Sequence, residues 1–160
     1  MTRPETLIRQ LSLRPHPEGG WYSEVFRSSR LVSPDDGREP RSAMTTIYFL
    51  LTRGQRSRLH QVNSDEAWHF YEGDPLRLTI CDATFERVES VTLGPWDGTF
   101  RPVHVVPAGD WQSAGTLGDY SLVGCTVGPG FDFLDFSMLR DDLVKAEQVR
   151  ALHPQLADDV

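Results

Sequence analysis

Long apolar runs are missing from this 160-residue chain, and nowhere does a hydrophobic stretch approach the length needed to span a bilayer. The N-terminal "MTRPETLIRQLSLRP" is too polar for a secretory signal. Only two cysteines are present, Cys81 and Cys125, each inside a strand-like apolar run, so buried free thiols are expected rather than a disulfide framework. No Cys/His spacing suited to structural zinc occurs. Positive charge is in deficit. A net charge of −7 argues against non-specific binding to nucleic acid or to an anionic membrane, while leaving room for a small anion held by local arginines such as Arg27, Arg41 or Arg77. Also absent are a P-loop, a dinucleotide-binding fingerprint, a nucleophile elbow and a Cys-His protease arrangement. With 39% hydrophobic and 24% charged residues, a globular protein of one domain over residues 1–160 is expected, with a cytoplasmic location as the default expectation.

Turn chemistry and periodicity organise the chain. Thr2 and Glu5 have capping-box spacing, and Leu7, Ile8 and Leu11 share a helical face, which predicts a short helix over 3–13 that "RPHPEGG" ends. From about 20 to 136 the chain reads as short strands bounded by Gly and Pro. "EAWHFYEG" and "PLRLTIC" suggest a hairpin around Gly73-Asp74-Pro75, and "VGPGFDFLDF" suggests a final strand. "SPDDGREPRS" is a polar loop. A C-terminal helix is expected over about 139–152, with Leu139, Leu143, Val144 and Val149 on one face. Many short strands between two flanking helices predict an all-β double-sheet jelly roll, the double-stranded β-helix.

Within this pattern Gly54, His60, Glu66 and Gly73 match four of the five marked positions of the first cupin motif. Val62 stands where the second histidine belongs. "PAGDWQ" matches the second motif with Pro107 and Gly109, but Gln112 replaces its histidine. With "PHPEGGWY", "IYFLL", "HQVNSDEAWHFYEGDPL", "VVPAGDWQSA" and "SLVGCTVGPGFDFLDF", the chain from about Leu11 to Pro154 resembles the type-5 cupin family. That family is related in fold to the dTDP-4-keto-sugar epimerase of rhamnose synthesis. The resemblance implies a jelly-roll barrel that usually forms homodimers. It also places His60 where that epimerase carries its base. No position matches the epimerase's second acid, a tyrosine; Tyr22 and Tyr120 are candidates by aromaticity alone.

Strand alternation puts Glu66, Trp68 and Phe70 on one face, toward the barrel interior, and His69 on the other. The expected pocket therefore has His60 and Glu66 as the catalytic pair, with Glu66 orienting the imidazole. Trp68, Phe70, Gln112 and Phe131 are its substrate-binding wall. Asp65 is read as a turn carboxylate and Trp111 as core. In "PHPEGGWYSE" turn chemistry around Gly19-Gly20 is the primary reading; the alternative brings His16 or Glu18 to the pocket mouth. No cofactor is expected. A divalent transition metal, if one is bound, would have His60, Glu66 and Gln112 as its ligands, a set weakened by an amide where imidazole is preferred. The function read from these residues is an isomerase or epimerase of a carbonyl or sugar-like molecule with His60 as base. The competing readings are a non-catalytic small-molecule binder and a metal-dependent cupin.

Overall fold

The computed structural model describes residues 1–160 and is a jelly roll of two facing antiparallel sheets. Its elements in chain order are α1 (Arg3–Gln10), β1 (Arg14–Pro15), β2 (Trp21–Arg27), β3 (Leu31–Val32), β4 (Arg41–Ser42), β5 (Thr45–Thr52), β6 (Arg56–Val62) and β7 (Asp65–Gly73). There follow β8 (Leu76–Cys81), β9 (Val88–Leu93), β10 (Val103–Val106), β11 (Trp111–Thr116), β12 (Tyr120–Gly128), β13 (Phe136–Met138) and α2 (Leu143–Leu152). One sheet has the order β1-β2-β5-β12-β7-β10 and the other β13-β6-β11-β8-β9; β3 and β4 form a separate ribbon.

The capping box forms as its spacing predicts: the Thr2 hydroxyl accepts from the Glu5 N–H and the Glu5 carboxylate accepts from the Thr2 N–H. The helix stops at Gln10 rather than 13, because Ser12 takes a left-handed conformation (φ 53°). Leu7 packs with Leu13, Leu50 and Leu122 on the outside of the six-stranded sheet. At the other terminus Asp142 caps α2 by accepting from the Lys145 N–H, so residues 139–141 form a separate 3-10 turn. This also changes the buried face. Leu139, Ala146 and Val149 pack on the five-stranded sheet, whereas Leu143 and Val144 are exposed.

Two expected elements differ. Gly73-Asp74-Pro75 is not a hairpin turn: β7 pairs with β12 and β10, and β8 with β11 and β9, so the chain crosses from one sheet to the other there. Nor does "VGPGFDFLDF" continue as one strand. After Gly128 the chain leaves the sheet, and Asp132 caps a 3-10 turn over Phe133–Asp135. It then resumes as β13 against β6 in the opposite sheet. Asp135 anchors this turn, accepting from Arg38 (2.8 Å) and from both Arg41 Nε (2.9 Å) and Arg41 Nη2 (3.0 Å). The polar loop supplies both arginines.

Between the sheets, Phe49, Leu51, Trp68, Leu76, Leu78, Ile80, Val106 and Val123 fill one end of the barrel. The other end is open, and this division places the site.

Candidate functional site

A cavity of about 370 Å³ occupies the open end. Its walls come from both sheets. Glu66 (β7), Ile47 (β5), and Cys125 and Val127 (β12) belong to the six-stranded sheet, while His60 and Val62 (β6) face them from the other. Phe131, Phe133 and Phe136 line the mouth with Arg14 and Arg27.

His16 and Glu18 lie in this cavity, carried there by the β1–β2 loop. The reason is local. Gly19 (φ 107°) and Gly20 (φ 76°) adopt conformations that other residues rarely take, and a Cβ at Gly19 would collide with the Arg56 carbonyl. The diglycine therefore lets the loop lie directly on β6, where the Arg58 N–H also donates to the Glu18 carbonyl (2.8 Å). The turn reading of this segment holds for its backbone; the side chains it presents form part of the site.

Glu18 rather than Glu66 is the carboxyl in direct contact with His60. Glu18 Oε2 lies 3.2 Å from His60 Nε2 and 3.5 Å from His16 Nδ1, and Glu18 Oε1 accepts from the Ser57 hydroxyl at 2.8 Å. The proton positions follow from partner chemistry. His60 Nδ1 is 2.8 Å from the Arg58 carbonyl, which can only accept, so Nδ1 carries a proton and Nε2 of the neutral ring has a lone pair. His16 Nδ1 accepts from the Glu18 N–H (3.3 Å), which leaves its ring proton on Nε2. Glu18 Oε2 thus lies beside the lone pair of His60 Nε2, an arrangement that suits a neutral carboxylic acid better than a carboxylate. Electrostatics agree: burial pushes the Glu18 carboxyl up to about 8, opposed by the Ser57 hydroxyl. Burial also lowers His60, against the pull of Glu66 and of the Arg58 carbonyl. Burial, with His60 close by, takes His16 down to about 3, so that ring is neutral.

Glu66 is held separately. Its Oε2 accepts from Gln112 Nε2 (2.5 Å), and Gln112 Oε1 in turn accepts from the Trp68 indole N–H (2.7 Å), all three residues being buried. Burial raises Glu66 to about 7. His60 opposes this rise, the Glu18 charge adds to it, and Gln112 and the Cys125 thiol oppose it again. Cys125 itself is pushed well above the usual thiol range by burial, then by Glu66 and Glu18, so it stays a thiol.

Two expected wall residues are elsewhere. Trp68 and Phe70 share the interior face with Glu66, as alternation requires, but pack in the filled end of the barrel and do not line the cavity. Gln112 stands behind Glu66 rather than at the cavity surface. Phe131 is at the mouth. His69 is on the outer face, stacked on Tyr71 (6.5 Å), and Asp65, rather than lying in a turn, opens β7 and accepts from the N–H of Ala108 in the facing turn. Tyr22 lines the cavity, edge-on to His16 (4.5 Å), whereas Tyr120 donates to Glu72 beside α1. Arg27 reaches the mouth, Arg41 is bound to Asp135, and Arg77 lies on the far side of the other sheet.

The cupin metal does not fit these residues. Val62 cannot ligate, the oxygen of Gln112 is committed to Trp68, and no three His, Cys, Asp or Glu side chains converge as a ligand set. What the arrangement offers is proton chemistry from two facing walls.

The Cupin_5 family profile, described as "Cupin superfamily (DUF985)", matches residues 5–139. A hypothetical protein from Leishmania major is 35% identical, with a TM-score of 0.85 over 99% of this chain and 97% of that one. A protein of known crystal structure from Shewanella oneidensis is 31% identical, with a TM-score of 0.83 over 99% of this chain and 98% of that one. Oxalate decarboxylase from Bacillus subtilis shares the fold at 18% identity and a TM-score of 0.59, over 86% of this chain and 33% of that protein. No curated protein matches the chain.

Proposed function

The chain belongs to the Cupin_5 family of the cupin superfamily, and from that premise we propose that its cavity performs acid–base isomerisation or epimerisation of a small carbonyl or sugar-like molecule. The observation that carries this reading is the presence of two buried carboxyls on opposite walls, Glu66 on β7 and Glu18 against His60 on β6, with different proton affinities. Proton transfer next to a carbonyl needs one group that takes a proton and another that supplies one. Glu66, near 7, has a substantial ionised fraction at neutral pH and takes the proton from the carbon beside the carbonyl. The electron pair of that C–H bond moves into the carbonyl, whose oxygen is protonated by Glu18. For isomerisation, protonated Glu66 then delivers its proton to the neighbouring carbon while the Glu18 carboxylate takes the proton from that neighbour's former hydroxyl; for epimerisation, the enediol turns over in the cavity so that Glu66 returns the proton to the opposite face as Glu18 recovers the oxygen's proton. His60 acts through Glu18, because both of its ring nitrogens are engaged. This departs from the expectation that His60 is itself the base.

The aromatic mouth and the Arg14 guanidinium, stacked 5.0 Å over the Tyr22 ring, suit a polar substrate with an anionic end. We further propose that the protein pairs with a second copy through the uncovered part of the six-stranded sheet, where Tyr71, Val103 and Val105 are exposed.

Incubation of keto-sugars and small hydroxy-ketones in heavy water tests the catalytic reading by NMR. Deuterium enters beside the carbonyl with the wild type and falls by about 100-fold or more with Glu66→Gln, in line with the loss of a general base. Saturable binding without exchange across the panel contradicts it and leaves a non-catalytic binding module.

A further inference from the structure

The five-stranded sheet has a second concavity, of about 280 Å³, on its outer face beside the C-terminal 3-10 turn Pro154–Leu156. Strand register defines its floor. Ser113, Thr79 and Ser90 are directly opposite one another on β11, β8 and β9, so their hydroxyls form a row across three strands; Thr79 and Ser90 lie 3.3 Å apart. In the next row outward on the same face are Gly115, Arg77 and Thr92. A Cβ at Gly115 would stand 3.6 Å from the Arg56 guanidinium, so the glycine keeps the groove open on that side.

Two features of this groove have no structural explanation. Ser113 is 1% exposed and its Oγ has no hydrogen-bond partner in the chain. An unpaired buried hydroxyl costs stability and calls for an explanation. Ser113 also stands at a bulge, where β6 sets two residues against one of β11. The second feature is charge. The other guanidinium of the groove, on Arg56, is neutralised by Asp159 (2.9 Å), whereas Arg77 forms no ion pair and makes no side-chain hydrogen bond. The groove therefore has an unbalanced positive charge on a protein of net charge −7. Its lining includes no aromatic ring on which a sugar could stack.

We propose that this groove is a binding site for a small oxyanion, a phosphate or carboxylate group, held by the Arg77 guanidinium with hydroxyl donors from Ser113 and its row. A guanidinium paired with neutral hydroxyl donors is the chemistry that recognises such groups. The site is separate from the barrel cavity, with no lining residue in common.

The probe is inorganic phosphate, titrated into the ¹⁵N-labelled full chain in a phosphate-free buffer at constant ionic strength. Saturable shifts of the amides at 77–79 and 113–115 are expected, with a dissociation constant of about 1 mM or tighter. Arg77→Gln weakens binding by about 10-fold or more. Ser113→Ala weakens it less, and without phosphate leaves the melting temperature unchanged or higher, because an unsatisfied hydroxyl has been removed. His60→Ala, in the barrel cavity, leaves the phosphate shifts unaltered. Non-saturating shifts, shifts confined to the barrel cavity, or affinity indifferent to Arg77→Gln overturn the proposal. A marked loss of stability in Ser113→Ala without phosphate also counts against it. None of these outcomes bears on the proton chemistry of Glu18 and Glu66.

Discussion

Glu18 and Glu66 both keep their protons to higher pH in the fold than in the unfolded chain, where a carboxyl titrates near 4.5. Between 4.5 and about 8 the folded state thus binds more protons at these two sites, so their contribution to stability is present at low pH and is lost as pH rises. His16 and His60 act in the opposite sense, but their effect is nearly spent about one pH unit above 6.5, the ordinary imidazole value. From about pH 7.5 to 8.5 the carboxyls dominate the slope among these four groups. The melting temperature is expected to fall across that window in the wild type and to fall less in Glu18→Gln, as differential scanning calorimetry will record. Behind Glu66, Trp68→Phe removes the donor to Gln112 Oε1 and leaves a buried acceptor unpaired. The expected cost is about 1–3 kcal/mol by urea unfolding. Both changes concern residues whose types, but not whose roles, are evident in the sequence. Motif spacing singles out His60, Glu66 and Gln112. It could not show that Gln112 serves Trp68 and Glu66 together, since that depends on two side chains of one strand in the facing sheet, β7, 44 and 46 residues away.

The β1–β2 loop shows best what one element contributes. Its diglycine is conspicuous in the sequence, and its turn conformation is legible there. An acid one position before a tight turn would ordinarily face solvent, so the sequence gives no sign that Glu18 is buried; the sign lies in the close approach of Gly19 to the Arg56 carbonyl. Gly19→Ala should therefore displace Glu18, with a loss of about 2–3 kcal/mol in urea unfolding and of the acid–base activity together. Alternation along β7 correctly assigns Glu66, Trp68 and Phe70 to one face. It does not report depth along the barrel, and the fill of Leu76, Leu78, Ile80 and Val106 decides that only the first of the three meets the cavity. The sheet crossing at Gly73-Asp74-Pro75 was hidden for a related reason, since local turn chemistry is the same whether the next strand pairs alongside or opposite. At the cavity mouth, the 3-10 turn of Phe133–Asp135 depends on the ion pairs of Asp135 with Arg38 and Arg41. Asp135→Ala leaves Arg41 without a carboxylate and Arg38 with Asp36 alone. Its thermal melt should shift clearly downward, and substrate-class ligands should bind more weakly because Phe131 and Phe133 lose their support.

For the whole molecule, the fold was legible because strand spacing and the ordered motif blocks agree, and local and global signals in such a chain reinforce one another. No helix is long and apolar enough to cross a membrane. The proposed pairing of two copies makes its own prediction: Val105→Glu, on the edge strand β10, should give a monomer by sedimentation velocity with the fold intact by circular dichroism. In the cavity, Glu18 stays mostly protonated at neutrality against the imidazole of His60, while Glu66 is partly ionised and free to take a proton. This arrangement is tested most directly by NMR titration of the ¹³C-labelled glutamate carboxyls, with the ¹⁵N shifts of His60 followed in parallel. The account predicts that Glu18 and Glu66 titrate near 8 and 7, with His60 protonated at Nδ1 throughout. Titration of both carboxyls close to 4.5, or a His60 ring with its proton on Nε2 and none on Nδ1, would contradict it.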